Sequence, residues 1–235
     1  MNNTHYTGDD VLNVMARYAQ NRNRSIEKLI IQNLNLDNPN LPLTVLEFGA
    51  GKGEFILRFL TRGNIEVLAV ESDPTYRELL SKSMKVFNSI DDVPAQLDCI
   101  YLIDVLEHLK EDQQYLMKFF EKLKKGGRLF IYVPARMELY SAFDKKIGHY
   151  RRYKMKELKN KIIQSGFSIE VICYHDMLGY AAIWVNNLYR NNDDLNPTSV
   201  KIYDRLLFPI TNFIERIFTA PIGKSIYLSA ILKEK

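Results

Sequence analysis

The sequence is poor in cysteine and lacks a long hydrophobic run. Its 235 residues include two cysteines, and two cysteines make no disulfide framework. Cys99 and Cys173 each lie in an apolar stretch, which predicts two buried free thiols and a reducing compartment. No segment approaches the ~20 apolar residues that cross a bilayer. Because residues 1–10 have neither the basic nor the apolar region of a signal peptide, we expect a cytoplasmic protein.

A strong excess of charge of one sign is also missing. The net charge is +4 with 26% charged residues, and the lysines and arginines are scattered apart from a short run at residues 149–154. A nucleic-acid-binding domain is expected to carry a basic stripe interleaved with aromatic residues, so we expect no nucleic-acid partner. Since 46% of the residues are hydrophobic, a chain of this length can bury a sizeable core.

Apolar strands alternate with amphipathic helices along most of the chain. The predicted strands cover residues 43–48, 65–70, 84–87, 98–103, 128–133, 167–173 and 225–232. The predicted helices cover residues 9–20, 24–33, 54–61, 74–83, 105–124, 155–165 and 200–218. This alternation is typical of an α/β fold with a doubly wound, mostly parallel sheet. We expect one domain over residues 1–235, with an N-terminal helical cap at 1–40 and a helical insertion at 177–220.

A glycine-rich loop joins the first predicted strand to the following helix. Residues 47–53 read EFGAGKG, and Glu71 stands at the end of the second predicted strand. Glycines let the backbone turn tightly and approach a ligand closely, while a helix N-terminus adds oriented N–H groups. A carboxylate at Glu71 can accept two hydrogen bonds from a ribose diol. The two features together predict a nucleoside-containing cofactor; the alternative is a glycine-rich turn without a ligand.

The spacing of the glycines distinguishes two cofactors. A dinucleotide site needs G-x-G-x-x-G, but Glu54 occupies its third glycine position and would place a negative charge near a diphosphate. The observed spacing is E-x-G-x-G-x-G, and the acidic Glu47 suits a cationic ligand. S-adenosylmethionine carries a sulfonium and an ammonium group, so the residues favour this cofactor over NAD.

Residues 47–53 resemble motif I of the class I S-adenosylmethionine-dependent methyltransferases. Residues 97–109 are similar to the fourth-strand motif of that family, and residues 123–129 to the turn before its fifth strand, with Lys125 where proline is usual. The likeness narrows to a bacterial subgroup of small methyltransferases with a GHYRRY motif, here residues 148–153, similar to the methyltransferase halves found beside glycosyltransferases. It covers nearly the whole chain and implies a Rossmann-like sheet of seven strands with an antiparallel last strand.

The resemblance also implies which residues bind the cofactor, at the carboxyl ends of the first four strands. They are Glu47, Gly49 and Gly51 for the methionine end, Glu71 and Ser72 for the ribose, Ser89 and Ile90 for the adenine, and Asp104 and Val105 beside the methyl donor. The stretch after the third strand departs from the family's usual Asp-Ala pattern. The implied reaction converts S-adenosylmethionine to S-adenosylhomocysteine.

Histidine is the favoured general base for a hydroxyl acceptor, because its pKa lies near neutrality. His149 stands in the 148–153 motif and is predicted to lie at the carboxyl edge of the sheet, where ligands bind. We interpret it as the catalytic base or an orienting group, with Arg152 holding an anionic part of the acceptor. The alternative is a packed loop with solvated arginines. The other residues predicted to contact the acceptor are Tyr18, His108, Tyr150, Tyr153 and His175.

Several of these assignments leave alternatives open. A structural role suits His108 as well as a site role does, and His175 could be oriented by Asp176 only if adjacent side chains face each other. The His5 position belongs to the N-terminal tail. The apolar stretch 177–189 is consistent with core packing, with an acceptor wall, or with a membrane-surface helix. The basic residues that would then meet anionic lipid headgroups are Arg190, Lys201 and Arg205.

The acceptor stays open between a small molecule and a lipid-like compound, methylated at oxygen or nitrogen. An RNA or protein methyltransferase would be expected to carry an added binding module or a basic face, and no Asn-Pro-Pro-Tyr-type motif follows the fourth strand. A non-catalytic protein that binds S-adenosylmethionine is a third alternative. No metal site is expected, because the cysteines and histidines lack the short-range spacings of zinc ligands. The sequence leaves the oligomeric state open.

Overall fold

Seven strands form one mixed sheet in the computed structural model, which describes residues 9–189 and 196–233. They are β1 (Leu43–Phe48), β2 (Ile65–Val70), β3 (Lys85–Phe87), β4 (Leu97–Ile103), β5 (Leu123–Pro134), β6 (Ser168–His175) and β7 (Ser225–Ile231). Their spatial order is β3-β2-β1-β4-β5-β7-β6, and β7 runs antiparallel to both of its neighbours. The predicted Rossmann-like α/β sheet with an antiparallel last strand is confirmed. His5 and Arg190 lie outside the described residues.

Helices pack on the sheet through two separate core clusters. The helices are α1 (Asp9–Tyr18), α2 (Gln20–Leu34), α3 (Pro74–Ser81), α4 (Asp112–Lys122), α5 (Ala142–Lys146), α6 (Met155–Gln164), α7 (Met177–Tyr189), α8 (Pro197–Ile202) and α9 (Phe208–Ile217). Ile26 of α2 and Leu80 of α3 belong to one cluster. Leu116 of α4 and Leu158 of α6 belong to the other.

Neighbouring residues of one strand contribute to different clusters. Val45 of β1 is buried in the cluster that contains α2, whereas Leu46 is buried in the cluster that contains α4 and α6. Consecutive strand side chains point to opposite faces of a sheet, so both positions must be apolar when both faces are covered. This burial explains the continuous apolar runs of the sequence. Because β1, β2 and β4 are parallel, the loops that follow them meet at one edge of the sheet.

The loop after β1 is less helical than predicted. A single 3-10 turn, Ile56–Phe59, replaces the helix expected at residues 54–61. The bond from the Arg58 N–H to the Phe55 carbonyl at 3.1 Å spans three residues, whereas the bond from the Leu57 N–H to the Gly53 carbonyl at 3.2 Å spans four. The Ile56 N–H donates to the side chain of Glu47 at 2.9 Å. The carboxylate thus caps an N–H group that has no backbone partner at the start of a helical turn.

The connection from β4 to α4 also differs from the prediction. The helix expected at residues 105–124 begins only at Asp112, after a 3-10 turn at Leu106–His108. Asp104 has a positive φ of 52°, a conformation that ends the strand without starting a right-handed helix. At the other end, β5 begins at Leu123, earlier than predicted, because Leu123 pairs with Leu97 of β4.

Among residues 176–189 and 196–224, three helices, α7, α8 and α9, lie between β6 and β7. A π-helical turn, Tyr203–Leu207, lies between α8 and α9, and Pro209 occupies the first turn of α9, where its missing N–H breaks no hydrogen bond. Among the described residues, no helix is both long enough and apolar enough to cross a membrane. Both cysteines are unpaired, and Cys99 is buried as predicted. Cys173 is only half-buried, because β6 is the edge strand of the sheet.

Candidate active site

The glycine loop after β1 is held in place by its neighbours at the sheet edge. Gly49, Gly51 and Gly53 all have positive φ, a conformation that glycine adopts without steric strain. The Gly49 N–H donates to the Val70 carbonyl at 2.8 Å. A Cβ atom added to Gly49 would lie 2.6 Å from a methyl carbon of Val105. The loop therefore packs directly against the residue that follows β4, and only glycine fits at this contact.

Glu71 lies beside this loop, as its position at the end of β2 predicts. Its Oε2 accepts a hydrogen bond from the Gly51 N–H at 2.6 Å, and its Oε1 accepts one from the Asp73 N–H at 2.8 Å. The residue is 7% exposed. An ionised carboxylate has about four acceptor positions, so about two remain for hydroxyl donors. Ser72 next to it is exposed, and its carbonyl accepts from Arg77 at 2.9 Å.

Glu47 is turned away from the loop surface and into the protein. Its Oε2 accepts from the Ile56 N–H at 2.9 Å and from the Tyr101 hydroxyl at 3.1 Å. Burial raises the pKa of Glu47 to about 8, although both hydrogen bonds act in the opposite direction. In this arrangement the side chain supports the base of the glycine loop.

The loop does not provide a third glycine for a diphosphate. Glu54, at that position, pairs with Arg58 at 2.6 Å and accepts a hydrogen bond from Asn23 at 3.3 Å. The side chain of Glu54 is thus ion-paired and partly exposed next to the turn. A negative charge there opposes the binding of a diphosphate, in agreement with the sequence-based preference against NAD.

The segment after β3 is a short capped turn. The Ser89 hydroxyl accepts from the Asp91 N–H at 3.2 Å, and Ile90 is fully buried in a core cluster. The side chain of Ile90 therefore forms part of the hydrophobic core. Half-buried Ser89 is the more accessible of the two residues predicted to contact adenine.

Asp104, at the end of β4, forms an ion pair with Arg22 of α2. The Arg22 guanidinium also lies 5.2 Å from the centre of the Tyr132 ring. Asp104 and the other charges around Arg22 raise the pKa of this buried guanidinium further, although desolvation acts in the opposite direction. No sequence feature pointed to Arg22, because the contact joins α2 to β4 across the fold.

A second polar cluster surrounds His149. The Nδ1 atom of His149 lies 2.8 Å from Oδ1 of Asp144. The Arg152 guanidinium donates to both carboxylate oxygens of Asp144, at 2.9 Å to Oδ1 and 3.0 Å to Oδ2. Arg152 and Asp144 are both buried. The Arg152 guanidinium thus faces Asp144 in the interior. The spacing from Ser141 to Asp144 is that of a capping box, which the structure contains, and this spacing is a local sequence signal for Asp144.

Two further residues from the β4–α4 turn face His149. The His108 and His149 rings meet edge to face with centroids 4.5 Å apart. Oε1 of Glu107 lies 3.7 Å from Nε2 of His149. Glu107 is 0% exposed, and neither of its oxygens has a hydrogen-bond partner among the described residues. Burial raises the pKa of Glu107 well above its usual range, and the charges of Asp104 and Asp144 add to this effect.

The remaining residues predicted to contact the acceptor lie in different environments. Tyr150 is exposed, whereas Tyr153 is buried and its hydroxyl donates to Asp112 at 2.8 Å. Tyr18 is half-buried in α1, a helix that reaches the glycine loop through an ion pair between Asp9 and Lys52 at 2.7 Å. The structure therefore brings His108 and His149 together and leaves Tyr18 in the N-terminal helix.

His175 forms a separate buried group. Its Nδ1 lies 2.9 Å from the Tyr132 hydroxyl, and burial lowers its pKa to about 4. Asp176 accepts instead from the Gly179 N–H at 3.0 Å and pairs with Lys224 at 2.8 Å. The tautomer of His175 is thus governed by Tyr132 in this structure, and Asp176 is engaged elsewhere.

Comparison with known proteins identifies the family to which the sequence is similar. The sequence profile of the methyltransferase-domain family matches residues 16–172. No curated protein shows a significant sequence match to the chain. Among solved structures, an S-adenosylmethionine-dependent methyltransferase from Archaeoglobus fulgidus has a TM-score of 0.55 and 20% identity, with 87% of this chain and 94% of that chain covered.

Two other solved structures show the same similarity of fold. A cyclopropane synthase from Mycobacterium tuberculosis has a TM-score of 0.58 and 13% identity, with 87% of this chain and 83% of that chain covered. A Haloferax volcanii protein in complex with a methyltransferase activator has a TM-score of 0.59 and 13% identity, with 94% of this chain and 96% of that chain covered. At these identities the comparison describes the fold alone.

Proposed function

The chain belongs to the methyltransferase-domain family, and we propose that it transfers a methyl group from S-adenosylmethionine to an oxygen or nitrogen of a small-molecule or lipid-like acceptor. The observation that carries this proposal is the contact between Gly51 and Glu71 at the edge of the sheet. It combines a glycine turn that a ligand can approach with a carboxylate that retains acceptor positions for a ribose diol. The product of the cofactor would be S-adenosylhomocysteine.

The residues around the loop fit this cofactor in charge as well as in shape. Glu71 accepts only backbone N–H groups in its two described hydrogen bonds and brings a carboxylate to the edge of the sheet, which suits a ligand with a sulfonium and an ammonium group. Glu54 and Asp104 also lie at this edge and are paired with Arg58 and Arg22. In the proposed arrangement Glu71 and Ser72 hold the ribose, and Ser89 and Ile90 adjoin the adenine. Val105 lies beside the methyl donor, with Glu47, Gly49 and Gly51 forming the methionine end of the site.

The acceptor would be aligned by the cluster around His149. Bound S-adenosylmethionine supplies an already activated methyl group, so the protein has mainly to position the acceptor and exclude water. A proton on Nδ1 of His149 would donate to Asp144, which leaves Nε2 as the atom that accepts the acceptor's proton. Arg152 then acts as a positioning residue, because its guanidinium holds Asp144.

We also propose that the chain belongs to the GHYRRY subgroup and forms one cytoplasmic domain over residues 1–235, with residues 1–40 as a cap. In this proposal the helices at 177–220 form the acceptor wall and a surface for peripheral membrane contact. The support is a row of exposed apolar side chains near Lys201 and Arg205. The row consists of Ile202, Leu206, Ile210, Phe213 and Ile217.

Calorimetric titration with S-adenosylmethionine, S-adenosylhomocysteine and NADH tests the cofactor assignment. We expect micromolar binding of the first two ligands and no binding of NADH. Glu71→Ala should weaken the binding of S-adenosylmethionine by roughly 10- to 100-fold, because charged hydrogen bonds contribute about 1.5–3 kcal/mol. Glu78→Ala, at an exposed carboxylate on α3, is the matched control and should bind normally. Equal affinities for the two variants would contradict the ribose assignment.

His149→Ala tests the acceptor site in a screen of hydroxyl and amine acceptors. Turnover should fall far more than affinity for S-adenosylmethionine, since His149 lies in the acceptor cluster and not in the glycine loop. Wild-type turnover in this variant would remove His149 as a base. Binding of S-adenosylmethionine without turnover of any acceptor, including RNA and protein, would favour a non-catalytic binding protein.

A further inference from the structure

Glu107 is a buried carboxyl group that faces His149. It is 0% exposed, its Oε1 lies 3.7 Å from Nε2 of His149, and neither oxygen has a hydrogen-bond partner among the described residues. A buried polar group is normally compensated by hydrogen bonds or by a cation. The guanidinium of Arg152 is already bound to both oxygens of Asp144. Glu107 therefore offers a cation two oxygen atoms that no described hydrogen bond fills.

The imidazole rings of His108 and His149 lie close to the Glu107 carboxyl group. One ligand atom each from Glu107, His108 and His149 can be chosen so that all three lie within 4.8 Å of one another. Ligand atoms around one tetrahedral ion at ~2.0–2.2 Å stand about 3.3–3.6 Å apart. A shift of about 1 Å in the most widely separated atoms would thus bring all three into the coordination sphere of one ion.

The outer contacts of both histidines also suit metal ligands. Nδ1 of His149 lies 2.8 Å from Oδ1 of Asp144, and His108 hydrogen-bonds to the backbone of Gly148. A histidine that binds a metal usually donates its other ring N–H to a carboxylate or a backbone carbonyl, which fixes the tautomer. Asp144 therefore leaves Nε2 of His149 directed towards Glu107, which lies 3.7 Å away.

We propose that Glu107, His108 and His149 bind one divalent first-row metal ion. Two imidazoles and one carboxylate are a ligand set typical of Zn²⁺, Fe²⁺, Co²⁺ and Mn²⁺. Three protein ligands leave at least one coordination position open. The sequence lacks the short ligand spacings of a zinc site because His149 comes from the loop after α5, whereas Glu107 and His108 come from the turn after β4.

The open position suits an oxygen of the acceptor. A bound divalent ion lowers the pKa of a coordinated hydroxyl, so it would take over from His149 the task of activating a hydroxyl acceptor, with His149 serving as a ligand. This role rests on the proposed function, whereas the binding of the ion does not. The site adjoins Val105, because the His108 N–H donates to the Val105 carbonyl at 2.9 Å.

Metal binding is tested on tag-free protein that has been treated with EDTA and dialysed. Calorimetric titrations with ZnCl₂, MnCl₂ and CoCl₂ should give one site per chain for at least one ion, together with a rise in Tm. The Co²⁺ complex should show visible d–d absorption. No binding of any of these ions at a stoichiometry near one would overturn the proposal.

Variants identify the ligands. Glu107→Gln should weaken metal binding at least ~100-fold, beyond the 10–100-fold that the loss of an outer partner produces. It should not lower the Tm of the metal-free protein, because glutamine has nearly the same volume and no described hydrogen bond to the Glu107 oxygens is lost. His149→Gln is the second variant and should lose binding as well. Glu111→Gln, at an exposed carboxylate close by in the sequence, should bind the ion like the wild type.

The outcomes for the ion and for the proposed function are separable. Wild-type metal affinity in both Glu107→Gln and His149→Gln would overturn the ligand assignment. If the metal-free protein binds S-adenosylmethionine but no ion, this inference alone fails. If the protein binds an ion through Glu107 but does not bind S-adenosylmethionine, the metal site is supported and the proposed function fails.

Discussion

Asp144→Asn is the change with the largest expected effect on the stability of the His149 cluster. Asp144 accepts two hydrogen bonds from Arg152 at 2.9 Å and 3.0 Å and one from His149 at 2.8 Å. It also accepts from the Ser141 N–H at 3.0 Å. Although burial acts to raise it, the pKa of Asp144 is lowered by its contacts with His149 and Arg152. Asparagine would keep the volume of the side chain but remove its charge. It would also turn an amide N–H₂ group towards one of the groups that donate to Asp144.

The expected loss of stability follows from the Arg152 guanidinium, which would stay buried without its carboxylate partner. Arg152 is buried, and removal of one partner from a buried ion pair typically costs about 3–5 kcal/mol. For a domain of this size each kcal/mol lowers Tm by roughly 2–4 °C. The expected decrease in Tm is therefore on the order of 6–20 °C.

The measurement is urea and thermal denaturation followed by circular dichroism. Asp37→Asn is the matched control, since Asp37 pairs with Arg62 at 3.0 Å but its side chain is 72% exposed. Loss of an exposed ion pair changes stability by only ~0–1 kcal/mol. If Asp144→Asn lowered stability no more than Asp37→Asn, the buried contacts of Asp144 would not stabilise the fold and the argument would be refuted.

Three further changes test other parts of the structure. Gly49→Ala should destabilise the protein by roughly 2–4 kcal/mol in urea denaturation, because φ is positive and the new Cβ would meet Val105. Gly63→Ala is the control and should leave stability unchanged, since its Cβ would meet no atom within 4 Å. Equal effects of the two changes would contradict the contact between Gly49 and Val105. Burial lowers the pKa of His175 to about 4, below the ~6.5 of an unfolded chain, so the unfolded state takes up the proton first. Stability should therefore fall by about 3 kcal/mol between pH 6.5 and pH 4, and His175→Gln should flatten this part of the curve; an unchanged curve would argue against a neutral buried ring. Phe213→Asp should reduce sedimentation with anionic vesicles, since Phe213 lies in the exposed apolar row of α9; wild-type sedimentation would count against membrane contact through this face.

The sequence predicted the features that depend on local patterns. Consecutive apolar residues such as Val45 and Leu46 revealed a strand covered on both faces, and the glycine spacing located the loop beside Glu71. The predicted helix at residues 54–61 was wrong: the structure has a 3-10 turn at Ile56–Phe59, and the Ile56 N–H donates to Glu47, a side chain from the preceding strand. Periodicity describes the chain's own backbone and does not include such partners.

Contacts between distant segments could not be predicted in the same way. The ion pair of Arg22 with Asp104 joins α2 to the end of β4, and no pattern in either segment encodes the other. The same reason explains why Glu107 had no predicted role, since its importance arises from burial beside His149. For His149 the position in the motif was informative, but its contact with Asp144 emerged only from the folded loop.

The turn after β4 links the two halves of the site. Val105 packs against Gly49 on the proposed cofactor side, and three residues later His108 meets His149 on the proposed acceptor side. The turn is fixed at both ends, because the Asp104 N–H donates to the Tyr132 carbonyl at 2.8 Å and the His108 N–H donates to the Val105 carbonyl at 2.9 Å. Groups on a rigid element keep the geometry that in-line transfer requires. In the proposed arrangement, one short hydrogen-bonded turn sets the separation between donor and acceptor. An added residue between Val105 and His108 should therefore abolish transfer before it abolishes the binding of S-adenosylmethionine.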